Sequence, residues 1–416
     1  MGGKHSKSKG RKVSNNYGDF VITTDKSEYS PGETVSGIVV LNLLKDYPGK
    51  ELYIRFRAKE QVLFIRSELK SRSVALNLKP DSSDGMFHYF HHSKNNRILD
   101  EKILLHCFQD GAKKDQYCIP FSFPLPTGIP GSYFQRGTSN ISQIVYQLSV
   151  FLDPTIPLPD VPRLKFKSDV CVIDQTVQRP LLLAGDKSYQ LAGGCCRSPS
   201  SFSLNYQIEK NLYKPGEIIN IRVGVDMTHA KLTMTSLTCS LKQHLQLQAG
   251  ADYWRQQMVY DQKVILQINK GNAYTGANCF SFQLKVPDLL LKEPFKYSKR
   301  YEPNFLQKLK EPVQVTAKPF CPSVKGKLIT SKFFIEILPR FAGENNLEPI
   351  NAEIHLVYVE LSKPELEAPV GWAPKSLEPV TFSLVKNNVP AYIQDENDAL
   401  RQMREDNNLM QMAPRV

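Results

Sequence analysis

A seventeen-residue pattern occurs twice in this chain, at 25–41 and at 209–225, with an offset of 184 residues. The two copies, DKSEYSPGETVSGIVVL and EKNLYKPGEIINIRVGV, are identical at six of 17 positions. The offset is far longer than the period of about 20–50 residues that stacked solenoid repeats use. The repeat therefore predicts two domains that share one fold.

Each copy contains the motif Tyr-x-Pro-Gly-Glu, which predicts a tight turn at the same place in both domains. Proline presets φ for the second position of a type II turn, and glycine accepts the positive φ of the third position. We interpret the residues of both motifs as structural: Tyr29, Pro31, Gly32 and Glu33 in the first copy, and Tyr213, Pro215, Gly216 and Glu217 in the second.

Alternation of apolar and polar residues predicts β-strands along much of the chain. The segment LYIRFRAK at 52–59 alternates as a strand with one buried face does. Similar strands are predicted at 35–43, 144–152, 164–173, 218–225, 237–247, 333–337 and 354–361. Short strands between Pro, Gly, Asn and Asp turns indicate an all-β fold. We predict two tandem immunoglobulin-like β-sandwich domains joined by a short hinge.

Interruptions of this pattern give the expected domain boundaries. The strand pattern stops at the segments AGG (192–194) and SPS (198–200). The predicted parts are a disordered basic arm (1–18), a first sandwich (19–182), a hinge (183–200), a second sandwich (201–362) with a basic insertion (about 289–321), and a tail (363–416).

The start of the chain matches the N-myristoylation pattern, with Gly2 as the acceptor and Ser6 at the favoured position. One myristoyl chain holds a protein at a membrane only marginally, and stable attachment needs a second signal. Cations near an anionic leaflet supply such a signal, at about 1 kcal/mol each. The arm carries five of them: Lys4, Lys7, Lys9, Arg11 and Lys12. We predict a lipid-anchored arm; a solvated basic arm is the alternative.

The net charge of +12, from 53 Lys and Arg against 41 Asp and Glu, favours anionic partners. Besides the arm, a second group of cations lies in and just after the predicted insertion, at Lys296, Lys299, Arg300, Lys325 and Lys327. This segment is either a patch that binds lipid headgroups or phosphate, or a solvated loop. No nucleic-acid motif accompanies it, so no nucleic-acid partner is expected.

The histidines and cysteines form no pattern that predicts a metal site. His88, His91 and His92 stand together without a Cys-x-x-Cys pair or a His-Glu-x-x-His motif, so a hairpin or surface position is expected. No apolar segment follows the basic start, so the eight cysteines are not interpreted as a secreted disulfide framework. Cys195 and Cys196 are candidates either for palmitoylation or for burial as small hydrophobic residues.

The two Tyr-x-Pro-Gly-Glu turns and their following strands resemble the arrestin fold, and most of all the α-arrestins (arrestin-domain-containing proteins). The cysteine pair at 195–196, and Pro-Ser at 322–323 shortly before the strand at 329–337, are similar to features of that family. The resemblance covers about residues 19–362. It implies a non-catalytic adaptor that couples the cytoplasmic tails of membrane cargo or receptors to endocytic sorting. It also implies a location at the cytosolic face of the plasma membrane or of endosomes.

Alpha-arrestins commonly recruit HECT-type ubiquitin ligases through P-P-x-Y motifs that bind WW domains. This chain has no P-P-x-Y, and the nearest match is Val389-Pro390-Ala391-Tyr392 in the tail. A WW groove takes a polyproline II segment between aromatic rings, so loss of the first proline lowers the expected affinity. The resemblance implies a ligase-binding site at Val389, Pro390 and Tyr392; a plain extended linker is the alternative.

The tail also contains the alternating segment VTFSLV at 380–385. By analogy with arrestins, this strand pairs with an edge of the first domain and holds the two domains together. Alternatively, it completes a sheet of the second domain.

The sequence contains no G-x-S-x-G, P-loop, G-x-G-x-x-G, His-Glu-x-x-His or kinase motif, so neither an enzyme activity nor a cofactor is expected. Two other uses of the fold stay open. One is a retromer-type coat subunit for endosomal recycling, which a stable stoichiometric complex would indicate. The other is a receptor-signalling scaffold, which would leave cargo ubiquitination unchanged when the protein is lost.

Overall fold

The computed structural model describes residues 16–26, 28–69, 87–136, 140–155, 161–173, 180–191, 200–287, 322–343, 347–357 and 371–384. Throughout these ranges the regular structure is β, apart from one turn of 3₁₀-helix at Gly276–Asn278. None of these residues belongs to a helix with the length and apolar character that crossing a bilayer requires.

The first domain is a sandwich of two sheets whose strands are mostly antiparallel. Its strands are β1 (Gly18–Thr24), β2 (Glu28–Tyr29), β3 (Thr34–Leu43), β4 (Glu51–Leu69), β5 (Phe87–Cys107), β6 (Gln116–Pro124), β7 (Tyr133–Arg136), β8 (Asn140–Leu152) and β9 (Leu164–Val172). One sheet contains β1-β3-β6 in that order. The other is six-stranded, with the order β2-β9-β8-β4-β5 and with β7 paired to β8.

The second domain repeats this architecture. Its strands are β10 (Leu183–Leu191), β11 (Ser200–Ile208), β12 (Leu212–Tyr213), β13 (Ile218–Asp226), β14 (Met234–Ala249), β15 (Asp252–Ile268), β16 (Ala273–Tyr274), β17 (Phe280–Lys285), β18 (Val324–Lys325), β19 (Ile329–Phe341) and β20 (Ile350–Leu356). Its six-stranded sheet has the order β12-β20-β19-β14-β15, with β18 paired to β19. This matches the six-stranded sheet of the first domain strand for strand, so the predicted all-β fold of two tandem sandwiches is confirmed.

Strand β10 corrects the expected hinge at 183–200. It pairs antiparallel with β11 along its whole length, and its residues Tyr189 and Leu191 are buried in the core of the second domain. The second domain therefore begins before the predicted boundary. The sequence did not indicate this strand, because Gly185, Asp186 and Lys187 are residue types that are typical of loops. Residues 192–199 of the expected hinge lie outside the described residues.

Two short strands from the tail belong to the first domain: β21 (Lys375–Ser376) and β22 (Val380–Thr381). Both pair in parallel with β6 and complete the sheet that contains β1 and β3, which makes it five-stranded. The alternative in which this segment completes a sheet of the second domain is therefore excluded for Val380 and Thr381.

Alternation along the strands sorts side chains between core and surface. In β4, Leu52, Ile54, Phe56 and Ala58 are fully buried, whereas the residues between them point outward. One cluster of buried apolar side chains lies in each sandwich. The cluster of the first domain also contains residues of the second, so the two cores meet at a shared interface.

Candidate functional site: the domain interface, the tail strands and the repeated turns

The glutamate of the first Tyr-x-Pro-Gly-Glu motif closes its own turn. A carboxylate oxygen of Glu33 accepts the main-chain N–H of Ser30 at 2.9 Å and lies 3.5 Å from the ammonium group of Lys26. The ring of Tyr29 is buried, and its hydroxyl donates to the carboxylate of Asp25. Burial of the ring and this hydrogen bond both raise the pKa of Tyr29, which therefore stays neutral.

The glutamate of the second motif has the same two contacts, although the hydroxyl of Tyr213 lacks the hydrogen bond that Tyr29 makes to Asp25. Glu217 accepts the main-chain N–H of Lys214 at 3.1 Å and the ammonium of Lys210 at 2.9 Å. Gly32 and Gly216 have φ of +86° and +83°, a conformation that glycine adopts without the strain a Cβ would bring. Both turns lead into the strands that follow them, β3 and β13, at equivalent places in the two sandwiches.

The tail strands bind the edge of β6 through the main chain. Lys375 and Ser376 pair with Tyr117 and Cys118, and the pairing continues further along, where Val380 lies opposite Phe121. Two further hydrogen bonds run from the amide of Leu377 to the carbonyl of Cys118 at 2.8 Å, and from Phe382 to Ser122 at 3.0 Å. An extended segment thus adds itself to an exposed sheet edge, a recurring mode of peptide recognition.

Apolar side chains of the tail add to this attachment. The Phe382 ring stacks on Phe123, with centroids 4.8 Å apart and planes at 22°. Leu377, Val380 and Leu384 pack against the core of the first domain beside it. Because the tail follows the second domain in sequence but binds the first, it ties the two domains together.

Glu60 forms the polar centre of the contact between the domains. Its side chain lies on the inward face of β4, and the residue has no exposed surface. Its carboxylate accepts the main-chain N–H groups of Leu328 and Ile329, both at 2.8 Å, and of Lys327 at 3.1 Å. The side-chain amide of Asn96 donates a fourth hydrogen bond at 3.1 Å. A carboxylate of the first domain therefore holds the turn between β18 and β19 of the second.

Gly326 lets that turn approach the carboxylate. A Cβ atom at this position would lie 2.2 Å from Oε1 of Glu60, a distance that real structures do not allow. The amide of Gly326 donates to the carbonyl of Ile329 at 2.8 Å, which closes the turn. The fit of Glu60 to three amides therefore depends on the absence of a side chain at Gly326.

A second buried polar group lies nearby and also joins the domains. The side-chain amide of Gln243, on β14, donates to Gln135 of β7 at 3.0 Å and to Ser331 of β19 at 2.7 Å. The hydroxyl of Tyr260 donates to Gln243 at 2.6 Å. Since these buried groups are hydrogen-bonded to one another, the interface has a specific register, which an apolar contact alone would not impose.

Apolar packing surrounds both polar groups. Leu245 and Leu247 of β14, together with Val324, Leu328 and Ile329, are buried in the cluster that forms the core of the first domain. At the rim, Asp252 lies 3.6 Å from Arg66 and 3.1 Å from His92. The arrangement is suited to fixing the two sandwiches in one orientation.

The predicted histidine group lies on the hairpin strand β5. His92 contacts Asp252 and stacks on Phe64, with centroids 5.1 Å apart. Across the described part of the chain, no group of three or more His, Cys, Asp or Glu side chains is arranged to hold a metal ion.

Most residues predicted for membrane or partner binding lie outside the described residues. They are Gly2, Lys4, Lys7, Lys9, Arg11 and Lys12 of the arm, Cys195 and Cys196, Lys296, Lys299 and Arg300, and Val389, Pro390 and Tyr392. Lys325 and Lys327 are described and exposed, at the end of β18 and in the turn after it. The structure gives the main chain of Lys327 a further role, because its amide binds Glu60.

The interface residues Glu60, Gln135 and Gln243 were not identified from the sequence. The burial of Glu60 could have been predicted, because the alternation that buries Ala58 places residue 60 on the same face of the strand. A glutamate at such a position requires polar partners. The sequence does not indicate that those partners are main-chain amides more than 260 residues further along.

Comparison with known proteins agrees with this architecture. The family described as "Arrestin (or S-antigen), N-terminal domain" matches residues 19–176, and "Arrestin (or S-antigen), C-terminal domain" matches 198–359. "Arrestin domain-containing protein A" of Dictyostelium discoideum is 20% identical over 214 residues, 51% of this chain and 35% of that protein. The match therefore spans about a third of the length of that relative. With both domains matched in order, the chain belongs to the arrestin family.

Proposed function

We propose that this protein is a non-enzymatic adaptor that links the cytoplasmic tails of membrane cargo or receptors to endocytic sorting and protein transport. Membership of the arrestin family supports the adaptor role. The observation that carries the proposal is the hydrogen-bonded contact between the two sandwiches. Glu60, the Gln135–Gln243 pair and the tail strands hold the two sandwiches in one orientation, so a partner bound to one would keep a fixed position relative to a partner bound to the other.

Cargo tails are proposed to bind along the sheets. Strands β5 and β15 each end a six-stranded sheet and pair with one neighbour among the described strands. An edge of this kind offers main-chain N–H and C=O groups to an extended peptide. The attachment of β21 and β22 to β6 supports this mode of binding, because there an extended segment of the chain itself occupies an edge.

Membrane attachment is proposed to come from the arm. A myristoyl group on Gly2, with Lys4, Lys7, Lys9 and other arm cations, would hold the protein at the cytosolic face of the plasma membrane or of endosomes. The arm leads directly into β1 at Gly18, so the first domain would lie nearest the lipid. The cations of the insertion would add attraction to anionic headgroups.

Recruitment of a ubiquitin ligase is proposed at Val389, Pro390 and Tyr392. Val389 lies five positions after Leu384, and Leu384 packs on the first domain. A WW-domain HECT ligase bound there would be held beside that domain and near the cargo.

A crosslinked pull-down from native membranes, with the N-terminus untagged, tests the proposal. We expect membrane transporters or receptors together with a HECT ligase. Tyr392→Ala should remove the ligase but keep the cargo, whereas the neighbouring control Asn388→Ala should keep both. Recovery of a stoichiometric coat complex, or of kinases without a ligase, would contradict the sorting role proposed here.

A further inference from the structure

The sheet of the first domain that contains β1, β3 and β6 has an apolar centre on its outward face. Val39 and Leu41 of β3 point into the core, so Val40 between them points outward. Val40 nevertheless has no exposed surface, and it belongs to neither of the two core clusters. Its burial therefore comes from the outward side of the sheet.

Strand register places apolar neighbours around Val40. Val21 of β1 lies opposite Val40 on one side, and Cys118 of β6 lies opposite it on the other. One side-chain spacing further along the strands, Ile38 lies opposite Pro120. These four neighbours are partly exposed. We call the five residues Val21, Ile38, Val40, Cys118 and Pro120 the apolar patch.

The apolar patch is uncharged. Burial raises the pKa of the Cys118 thiol, so this side chain stays neutral as well. The adjoining outward positions Thr23, Ser36 and Ser122 also carry no charge. The surface is therefore suited to an apolar ligand and not to a charged peptide.

The size of the apolar patch favours a small ligand over a folded protein. The patch covers three strand widths by two side-chain spacings, about 200 Å². A stable protein interface buries about 800 Å² on each partner. A second copy of the chain, or another folded domain, would therefore gain too little from this patch alone. A single acyl chain is a narrow apolar ligand that a patch of this size can cover.

The second domain shows that the fold does not require an apolar surface at this place. The offset of 184 residues puts Arg222 at the position of Ile38 and Gly224 at that of Val40. Asn205 lies opposite Gly224, as Val21 lies opposite Val40. Both Arg222 and Asn205 are exposed. The apolar patch is therefore a property of the side chains of the first domain and not of the architecture.

The N-terminal arm joins the first domain beside the apolar patch. Gly18 begins β1, and Val21 lies three residues further along this strand, about 10 Å away. The chain from Gly2 to Gly18 can span at most about 55 Å. A group attached to Gly2 can therefore reach every residue of the patch.

An acidic side chain lies between the arm and the apolar patch. Asp19 is on the outward face of β1, because its neighbour Phe20 points into the core. It is the first acidic residue of the chain and follows the five cations of the arm. Within the described residues, Asp19 forms no ion pair. Its carboxylate is thus available to a cation of an arm that turns back over the sheet.

We propose that the apolar patch binds the myristoyl group of Gly2 when the protein is away from the membrane. The inference rests on the membrane attachment proposed above and names a second site, on the protein itself, for the same acyl group. The patch and the bilayer then compete for one ligand, so occupation of the patch lowers the apparent affinity for membranes. Attachment through one acyl chain is marginal by itself, and this competition makes it readily reversible.

Photo-crosslinking with the full chain locates the acyl group. The protein is produced together with an N-myristoyltransferase, with an untagged N-terminus and a myristate analogue that carries a diazirine at the end of its chain. After irradiation in the absence of membranes, mass spectrometry identifies the crosslinked peptides. We expect crosslinks to β1, β3 or β6, and their loss when vesicles are added before irradiation. Crosslinks confined to other parts of the chain, or none within the chain, would overturn the inference.

Binding of the myristoylated protein to vesicles tests the competition. Phosphatidylcholine vesicles are used, because they exclude attraction between the arm and anionic lipid. Val21→Asn combined with Ile38→Gln makes the patch polar, and asparagine is the residue that the second domain has in place of Val21. With the acyl chain on the patch about nine-tenths of the time, this double variant should bind the vesicles about tenfold more tightly than the wild type.

A matched double variant controls for the loss of exposed apolar surface. Val264 and Leu266 are exposed on β15 of the second domain. Val264→Asn combined with Leu266→Gln should bind the vesicles as the wild type does. The unmyristoylated forms of all three proteins should bind equally, and their thermal melts identify any misfolding. Ile38→Gln alone is the milder variant, and it should strengthen binding in the same direction by less.

Three results with the patch double variant would overturn the inference. Weaker vesicle binding would show that the patch contacts the bilayer itself, and unchanged binding would show that it holds no acyl chain. A change of oligomeric state in sedimentation would assign the patch to a second copy of the chain. A Gly2 without an acyl group would contradict the proposed membrane attachment, whereas an acylated protein without crosslinks to the patch would contradict this inference alone.

Discussion

The carboxylate of Glu60 in the first domain accepts a hydrogen bond from the main-chain amide of Leu328 in the second, across 268 positions of sequence. The same carboxylate binds the amides of Ile329 and Lys327. Long-range contacts of this kind fix one sandwich on the other, and they provide the first prediction.

Glu60→Ala should destabilise the protein by about 3 kcal/mol or more, because it leaves several buried amides without an acceptor. Glu60→Gln keeps one acceptor oxygen and should cost less. Urea unfolding measures both free energies. Glu51→Ala is the control, since Glu51 is exposed at the start of the same strand. An unchanged urea midpoint for Glu60→Ala would exclude the proposed role of this carboxylate in the interface.

Phe382→Ala should loosen the tail strands, because it removes the ring that stacks on Phe123. We expect hydrogen exchange at the amide of Leu377 to become about tenfold faster, which corresponds to a loss of about 1.4 kcal/mol. Ser383→Ala, at the exposed neighbouring position, should leave exchange unchanged. Equal exchange in all three proteins would show that the stacked ring does not hold the tail.

Gly216→Ala should cost about 1–2 kcal/mol, because an alanine at φ +83° adopts the left-handed conformation. No atom lies within 4 Å of the added Cβ, so this variant measures backbone strain alone. Gly32→Ala should cost more, since its Cβ meets Thr127 at 3.2 Å. Gly216→Asn is the control, because asparagine tolerates positive φ better. Thermal melts equal to the wild type would contradict the turn geometry.

Asp100, on β5, accepts a hydrogen bond from Arg55 at 2.6 Å and lies 3.3 Å from Arg57. Asp100→Asn should therefore lower stability at neutral pH and have progressively less effect in acid. The folded-state pKa of Asp100 lies below its usual value of about 3.9, so its contribution is present above that pH and is lost as the pH falls through the folded pKa. Urea midpoints of the variant and the wild type at pH 7, 5, 4 and 3 measure this convergence. A constant difference at all four values would contradict it, and Asp110→Asn, at an exposed position, is the control.

Gly2→Ala should move the protein from the membrane fraction to the soluble fraction, because the N-myristoylation pattern requires glycine as the acceptor residue. Gly3→Ala keeps the acceptor and should partition as the wild type does. Cell fractionation with an untagged N-terminus is the measurement, and unchanged partitioning of Gly2→Ala would exclude the anchor.

The repeat at 25–41 and 209–225 predicted two domains of one fold, because the same Pro-Gly turn is encoded by local sequence in both copies. Local alternation likewise predicted strands such as β4 and β8. The start of β10 was missed because Gly185 and Asp186 have low strand propensity, and pairing with β11 overrides that preference.

The contact between the two domains could not be predicted from the sequence, because the residues that form it are far apart along the chain. The inward position of Glu60 follows from the period of β4, but its partners do not. The sequence at 380–385 predicts a strand but does not indicate which domain it pairs with, because alternation does not identify the neighbouring strand.

Because β21 and β22 complete a sheet that also contains β1, the ribosome must make the second domain before the first domain has all its strands. From the end of β6 to Lys375 are 251 residues, which take about 10–50 s at 5–20 residues per second. During that time the edge of β6 is open to other nascent chains. A chain arrested or truncated before residue 375 would keep this edge of β6 exposed.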